Sequence, residues 1–260
     1  MNWIHDLPQN LLCVLIVGAF VTVALAGMFA SRGSVRRSVS DPHRHNDLVG
    51  FVLAGICVFY GLLLGLVAVA AWESHSEAEA LVTREATCLA ALYRDISEFP
   101  DPKGAELEGL IADYARSVIE EEWPEQRRGV VPAGGVARAQ AIQRGLTQFE
   151  PTSAALSVLH AESMRAFNVF YEARRQRLDA VTSGLPATVW WVMILGGILI
   201  IAVCWMFDFT HSKVQMLLTS SVAVMIGLLV FISAAMDAPF RGKAGVGPEP
   251  FELVSKQLME

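Results

Sequence analysis

Two residues at helical spacing are the first candidates for chemistry. His75 and Glu79 stand four positions apart, the separation at which side chains share one face of a helix. Such a pair can grip a metal ion, but a protein metal centre needs three or four ligands. No third ligand is identifiable, so the pair reads as a solvated face. His160 lies beside the apolar stretch from Leu156 to Phe167 and reads as a packed or surface histidine. The acidic run "EEEW", Glu120 to Trp123, reads as the solvated end of a helix. Negative charge at a helix C-terminus is mildly unfavourable, which leaves room for a cation such as Arg127 or Arg128. No glycine-rich phosphate loop, HExxH or GxSxG occurs. The cysteines are Cys13, Cys57, Cys88 and Cys204, with no CxxC pair among them. Three of them fall in apolar stretches, and Cys88 reads as a small buried filler. These residues assign no catalytic group, metal site or cofactor, and the chain is not expected to be an enzyme.

The elements that carry these residues divide sharply by composition. The 260 residues are 53% hydrophobic and only 18% charged, against about a quarter charged in an ordinary soluble domain. Between Glu73 and Pro186 there are 12 Lys/Arg and 18 Asp/Glu, a net −6, and the rest of the chain is neutral. With no basic patch, nucleic acid is not expected as a partner. Four stretches are apolar for the roughly 20 residues that a bilayer-spanning helix needs: Leu11–Ala30, Leu48–Trp72, Thr188–Phe207 and Val214–Met236. The lipid bilayer is therefore the first partner. The leader "MNWIHDLPQN" holds no Lys or Arg, unlike a secretory n-region, so the first stretch reads as a retained span.

The loop between the first two spans carries Arg32, Arg36, Arg37 and Arg44, and the loop between the last two adds Lys213. Short basic loops stay in the cytoplasm. This places the N-terminus, the central region and the C-terminal tail on the other side. Arg174, Arg175 and Arg177, which precede the third span, count against that orientation.

Span two repeats small residues at the helical period: Gly50, Ala54, Cys57, Gly61, Gly65 and Ala68 fall on one face. Small faces let helices approach closely in lipid. Two readings stand open, tight packing inside one subunit or a seam between subunits or around an axis. Gly18, Thr22 and Ala26 in span one, and Ala223 and Gly227 in span four, repeat the signal more weakly. No Asp, Glu, Lys, Arg or His falls inside any span. Ion-coupled transporters keep such groups near mid-membrane, so proton-coupled transport is disfavoured. An apolar-walled gate is not, because hydrophobic constrictions gate by dewetting.

Between Gly65 and Pro100 there is neither Gly nor Pro, so span two continues as one helix into the central region. Ala78, Leu81, Val82, Leu89, Leu92, Ile96 and Phe99 give that extension an apolar face. A second helix is expected from about Ala105 to Glu122, then a loop "WPEQRRGVVPAGG". A third runs from about Val136 to Phe149. A fourth is opened by Glu150-Pro151-Thr152-Ser153 and ends before "SGLP". Beyond span four, Pro239 stops the helix, and Asp237 is expected to accept from freed backbone groups or pair with Arg241. The fold class is all-α: four transmembrane helices with an extramembrane helical bundle inserted between spans two and three. The divisions expected are 1–72 (two spans and the basic loop), 73–187 (the bundle), 188–236 (two spans) and 237–260 (a tail).

In order along the chain, "HNDLVGF", "VFYGLLLGLV", "EAEALVTREATCLAALYRDISEFPDP", "VIEEEWP" and "MDAPFRGKAGVGPEPF" resemble the bestrophin-like domain family, membrane proteins found mostly in bacteria. The likeness covers nearly the whole chain after Asp41 and lies in the order of the pieces. The family name implies kinship with bestrophins, which are pentameric anion channels. The resemblance thus implies a multi-pass protein of the cell inner membrane, self-associating, with passage of small anions as one function. No functional residue carries over, since the bestrophin neck and calcium site align to no positions here. The alternative is a non-conducting, membrane-anchored sensor or scaffold whose bundle binds a partner.

Overall fold

The computed structural model describes residues 8–242 and 245–259. Most of the leader, residues 1–7, lies outside them, and so does the placement of the N-terminus. The described chain is helical, with no strand among its residues. The helices are α1 (Gln9–Ser38), α2 (Pro42–Ile96), α3 (Lys103–Ser117), α4 (Trp123–Arg127), α5 (Gly134–Thr147), α6 (Ala154–Ala180), α7 (Ala187–Cys204), α8 (Ser212–Met236) and α9 (Glu249–Met259). A π-helical turn, Val118–Glu122, joins α3 to α4. Four helices, α1, α2, α7 and α8, are long and apolar enough to cross a membrane. The chain forms two compact units, one within Met1–Glu73 and Gly184–Asp237, the other within Ser74–Ser183 and Ala238–Glu260.

In the membrane unit, glycines and aromatic rings set how closely the helices approach. A Cβ on Gly227 of α8 would meet the Val17 backbone of α1 at 2.9 Å. A Cβ on Gly27 would stand 2.0 Å from the Trp205 indole, which lies in that gap and donates from Nε1 to the Ala24 carbonyl at 2.8 Å. Gly196 receives the Tyr60 ring in the same way, and the Tyr60 hydroxyl donates to the Met193 carbonyl at 2.5 Å. Ala24, Leu64, Ile201, Ala223 and Val230 fill the remaining interior. Asp237 closes one end, its carboxylate accepting from the Leu185 amide (2.7 Å) and Trp190 Nε1 (3.2 Å). Its partners are thus an amide and an indole at the start of α7, not backbone groups freed at the end of span four.

The bundle departs from expectation in three places. The second helix does not run regularly to Glu122: it widens at Val118 into the π turn. A wider turn takes up one extra residue, and Val118, Glu122, Trp123 and Gln126 all become buried. Trp123 to Arg127, expected as loop, is helical, with Pro124 in its first turn where a missing N–H costs nothing. The tail also carries a helix, α9, whose Phe251 packs at 6.1 Å from the Trp123 ring beside Phe240. Ser153 caps α6 through the Leu156 amide, as the sequence leads one to expect. His160 is packed, Nε2 lying 2.9 Å from the Leu146 carbonyl and the ring edge-on to the paired Phe99 and Phe149 rings.

Candidate functional site

Two places combine unusual residues with unusual settings: the outward face of α2 in the membrane unit and the centre of the bundle. On α2, packing falls to Val49, Tyr60, Leu64, Val67 and Ala71, all buried. The small-residue face sits one position further along at each turn, about 100° around the helix. Ala54 and Gly61 are exposed, while Gly50, Cys57, Gly65 and Ala68 are half-buried. Gly50 has the Phe207 ring 4.0 Å from where a Cβ would stand. Around Gly61 and Gly65 no atom of another described element lies within 4 Å of that point. Gly18, Thr22 and Ala26 of α1 are likewise exposed. By contrast Ala223 and Gly227 of α8 pack inside the protomer.

The basic loop gathers around the α7–α8 connection. Arg32 donates to the Ser212 hydroxyl, and Arg36 Nε lies 3.8 Å from the Asp208 carboxylate. The Asn46 side chain clasps Asp208 from both sides, donating to its carbonyl (2.8 Å) and accepting from its amide (2.9 Å). Arg37 and Arg44 are exposed and form no ion pair among the described residues.

At the centre of the bundle the sequence reading missed a cluster of charge. Glu85 of α2, Tyr114 of α3, Glu122 of the π turn, and Arg174 and Arg177 of α6 are all buried. Arg177 Nε donates to Glu85 at 2.5 Å and its Nη2 to Glu122 at 2.8 Å. Arg174 holds the Glu122 carboxylate with both terminal nitrogens, at 2.7 and 3.1 Å. The Tyr114 hydroxyl accepts from Arg174 (2.6 Å) and donates to Glu85 (2.5 Å). Arg177 also lies over the Trp123 and Phe251 rings. Gly135 opens α5 against this cluster, where a Cβ would stand 1.8 Å from Glu122 Oε1.

Burial alone would raise the Glu122 pKa, but the hydrogen bond from Arg174 and the charge of Arg177 outweigh it and hold the carboxyl below its ordinary range. Burial would lower both arginines, but the surrounding carboxylates and Tyr114 raise them. Burial, then the charge of Glu85, pushes the Tyr114 hydroxyl well up. Glu122 thus stays ionised beside two guanidiniums, and every carboxylate oxygen of Glu85 and Glu122 accepts a hydrogen bond. Chemically this is a clamp across four elements.

"EEEW" is therefore not a solvated helix end. Only Glu120 and Glu121 are exposed, and Glu121 pairs with Arg138 rather than Arg127 or Arg128. Periodicity marks three members of the cluster as facing inward, though not as partners. Ala78, Val82, Glu85, Leu89, Leu92 and Ile96 step by four and three along α2, and Phe167, Phe170, Arg174, Arg177 and Val181 do the same along α6. Glu85, Arg174 and Arg177 occupy slots of an apolar stripe. His75 is half-buried and Glu79 exposed, and no group of three or more His, Cys, Asp or Glu side chains gathers among the described residues.

The Bestrophin-like domain matches residues 18–251. No curated protein matches the chain. Among solved structures, a bacterial bestrophin homologue from Klebsiella pneumoniae carrying a tyrosine-to-alanine substitution superposes with a TM-score of 0.67 at 10% identity, over 95% of this chain and 97% of that one. The same homologue solved by Zn-SAD phasing gives 0.64 at 12% identity over the same shares. Their likeness is one of fold. The family match and the four apolar helices put the protein in a membrane, and the chain belongs to the bestrophin-like domain family.

Proposed function

We propose that this protein assembles with copies of itself into a ring that conducts small anions. Four spans of one protomer are too few to enclose a wide aqueous pore, so conduction requires a ring. The observation that carries the reading is the α2 face at Gly61 and Gly65, which meets no partner among the described residues although Tyr60 and Leu64 beside it are buried. In lipid, where apolar contact alone gives little drive, small residues mark where helices meet. The exposed small face of α1, Gly18, Thr22 and Ala26, offers a second, different surface. Two unlike surfaces are what a head-to-tail ring uses. Membership of the bestrophin-like family supports anions as cargo.

Native mass spectrometry of the protein in nanodiscs tests the assembly, with four to six copies expected, followed by chloride flux in liposomes. Gly61→Leu and Gly65→Leu are expected to abolish assembly or conduction. A monomer or dimer, or two variants that assemble like wild type, would sink the ring and leave a membrane-anchored scaffold. The orientation implied by the basic loop, with Arg37 and Arg44 in the cytoplasm, belongs to the same reading. A thiol placed by Ser34→Cys should then resist impermeant reagents on intact cells, and labelling there would reverse it.

A further inference from the structure

The membrane unit has a cleft of about 380 Å³ where α1 ends, α2 begins and the α7–α8 connection crosses. The polar residues that line it are Arg36 and Arg37 from the end of α1, Ser40, Asp208 and Thr210. Arg36 faces Asp208 at 3.8 Å, so those two charges largely offset each other. Arg37, Ser40 and Thr210 make no side-chain hydrogen bond or ion pair among the described residues. The α2 N-terminus beside them is already capped, since the Asp41 carboxylate accepts from the His43 and Arg44 amides. What the cleft offers is the uncommitted guanidinium of Arg37, the Arg36–Asp208 pair, and two hydroxyl-bearing residues, Ser40 and Thr210.

We propose that this cleft binds a phosphate group. A guanidinium is a planar fork of donors that matches phosphate oxygens two at a time, and hydroxyls complete the shell. The volume lies at the small end of ligand sites and suits a headgroup-sized anion. Its place favours the same chemistry. The apolar stretch of α1 ends at Ala30 and Arg36 follows within two turns, the level at which basic side chains meet the phosphates of anionic lipids. A phosphate held there joins the end of α1 to the start of α2 and to the α7–α8 connection.

The test uses the full-length protein in nanodiscs of phosphatidylglycerol and phosphatidylcholine, with retained lipid counted by native mass spectrometry, and a parallel titration of inorganic phosphate in detergent. Arg37→Gln and Thr210→Val are compared with Arg44→Gln, which removes the same loop charge outside the cleft. Tryptophan-fluorescence melts confirm that each variant is folded. Arg37→Gln should weaken binding about tenfold, as loss of one charge-assisted contact implies, Thr210→Val by less, and Arg44→Gln little. If phosphatidylglycerol retention follows that order, the ligand is a lipid headgroup; if phosphate binding follows it, the ligand is a free phosphate. If neither does, or if Arg44→Gln weakens binding as much as Arg37→Gln, the attraction is diffuse surface charge and the site is refuted.

Discussion

In the membrane unit every charged side chain among the described residues lies outside the four apolar stretches, whereas the bundle holds two carboxylates and two guanidiniums at its centre. The two units hold their helices together by different means. In the first, glycines let neighbouring groups approach closely: the Trp205 indole at Gly27, the Tyr60 ring at Gly196, the Val17 backbone at Gly227. Shape and dispersion must suffice there, because lipid is as apolar as the helices themselves. In the second, apolar burial supplies the drive and the polar cluster selects the arrangement. A buried ion pair adds little net stability over apolar packing but is costly to break. The clamp penalises any register of α2, α3 and α6 that separates its partners.

The sharpest way to break this contrast is to remove one arm of the clamp. Arg177→Leu leaves Glu85 and Glu122 buried with Arg174 alone, and should cost about 3–5 kcal/mol of bundle stability. Denaturant unfolding with hydrogen exchange on α3 and α6 measures it. Replacing Glu85 and Arg177 together by leucine should recover part of that loss, since neither charge is then stranded. A double variant no better than Arg177→Leu would mean that the cluster acts by something other than charge balance.

Acid gives a smaller test of the same cluster. Because the Glu122 pKa is held below its ordinary value, its contribution is present above about pH 4.5. It is lost as pH falls through the lower folded value. The bundle should therefore soften in acid more than the membrane unit, which has no fully buried carboxylate among its described residues. Hydrogen exchange at pH 7 and below pH 4, corrected for intrinsic rates, would locate the loosening. Equal loosening of α7 and α8 would contradict the assignment.

The four spans and the unbroken α2 were legible in the sequence because lipid forces every backbone group to be satisfied within its own helix, and apolar length alone then suffices. The apolar faces of the bundle helices were legible through their 3.6 period. The clamp was not, although Glu85 and Arg177 occupy apolar slots, because the residues that neutralise each other lie 92 positions apart. A single charged residue in a stripe reads as an irregularity until its partner is known. The π turn left no signal either: one extra residue per turn changes no residue type, only which way Glu122 and Trp123 point.

The smallest expected effect draws the line inside the membrane unit itself, between two glycines that look alike in the sequence. A Cβ at Gly27 would stand 2.0 Å from an indole that is anchored by its hydrogen bond to Ala24, so Gly27→Ala must displace a rigid ring. Overpacking of that kind costs about 1–3 kcal/mol. At Gly61 no atom of another described element lies within 4 Å, and a non-glycine residue is intrinsically better in a helix by about 0.5–1 kcal/mol. Gly61→Leu should therefore leave the protomer's melting unchanged or slightly raised when both variants are unfolded as monomers in detergent. If it destabilised the monomer as Gly27→Ala does, the α2 face would be packing within the protomer after all, and the reason for placing a neighbouring subunit there would be gone. If the monomer is untouched while assembly in nanodiscs fails, the cost of the leucine falls where a second copy must sit.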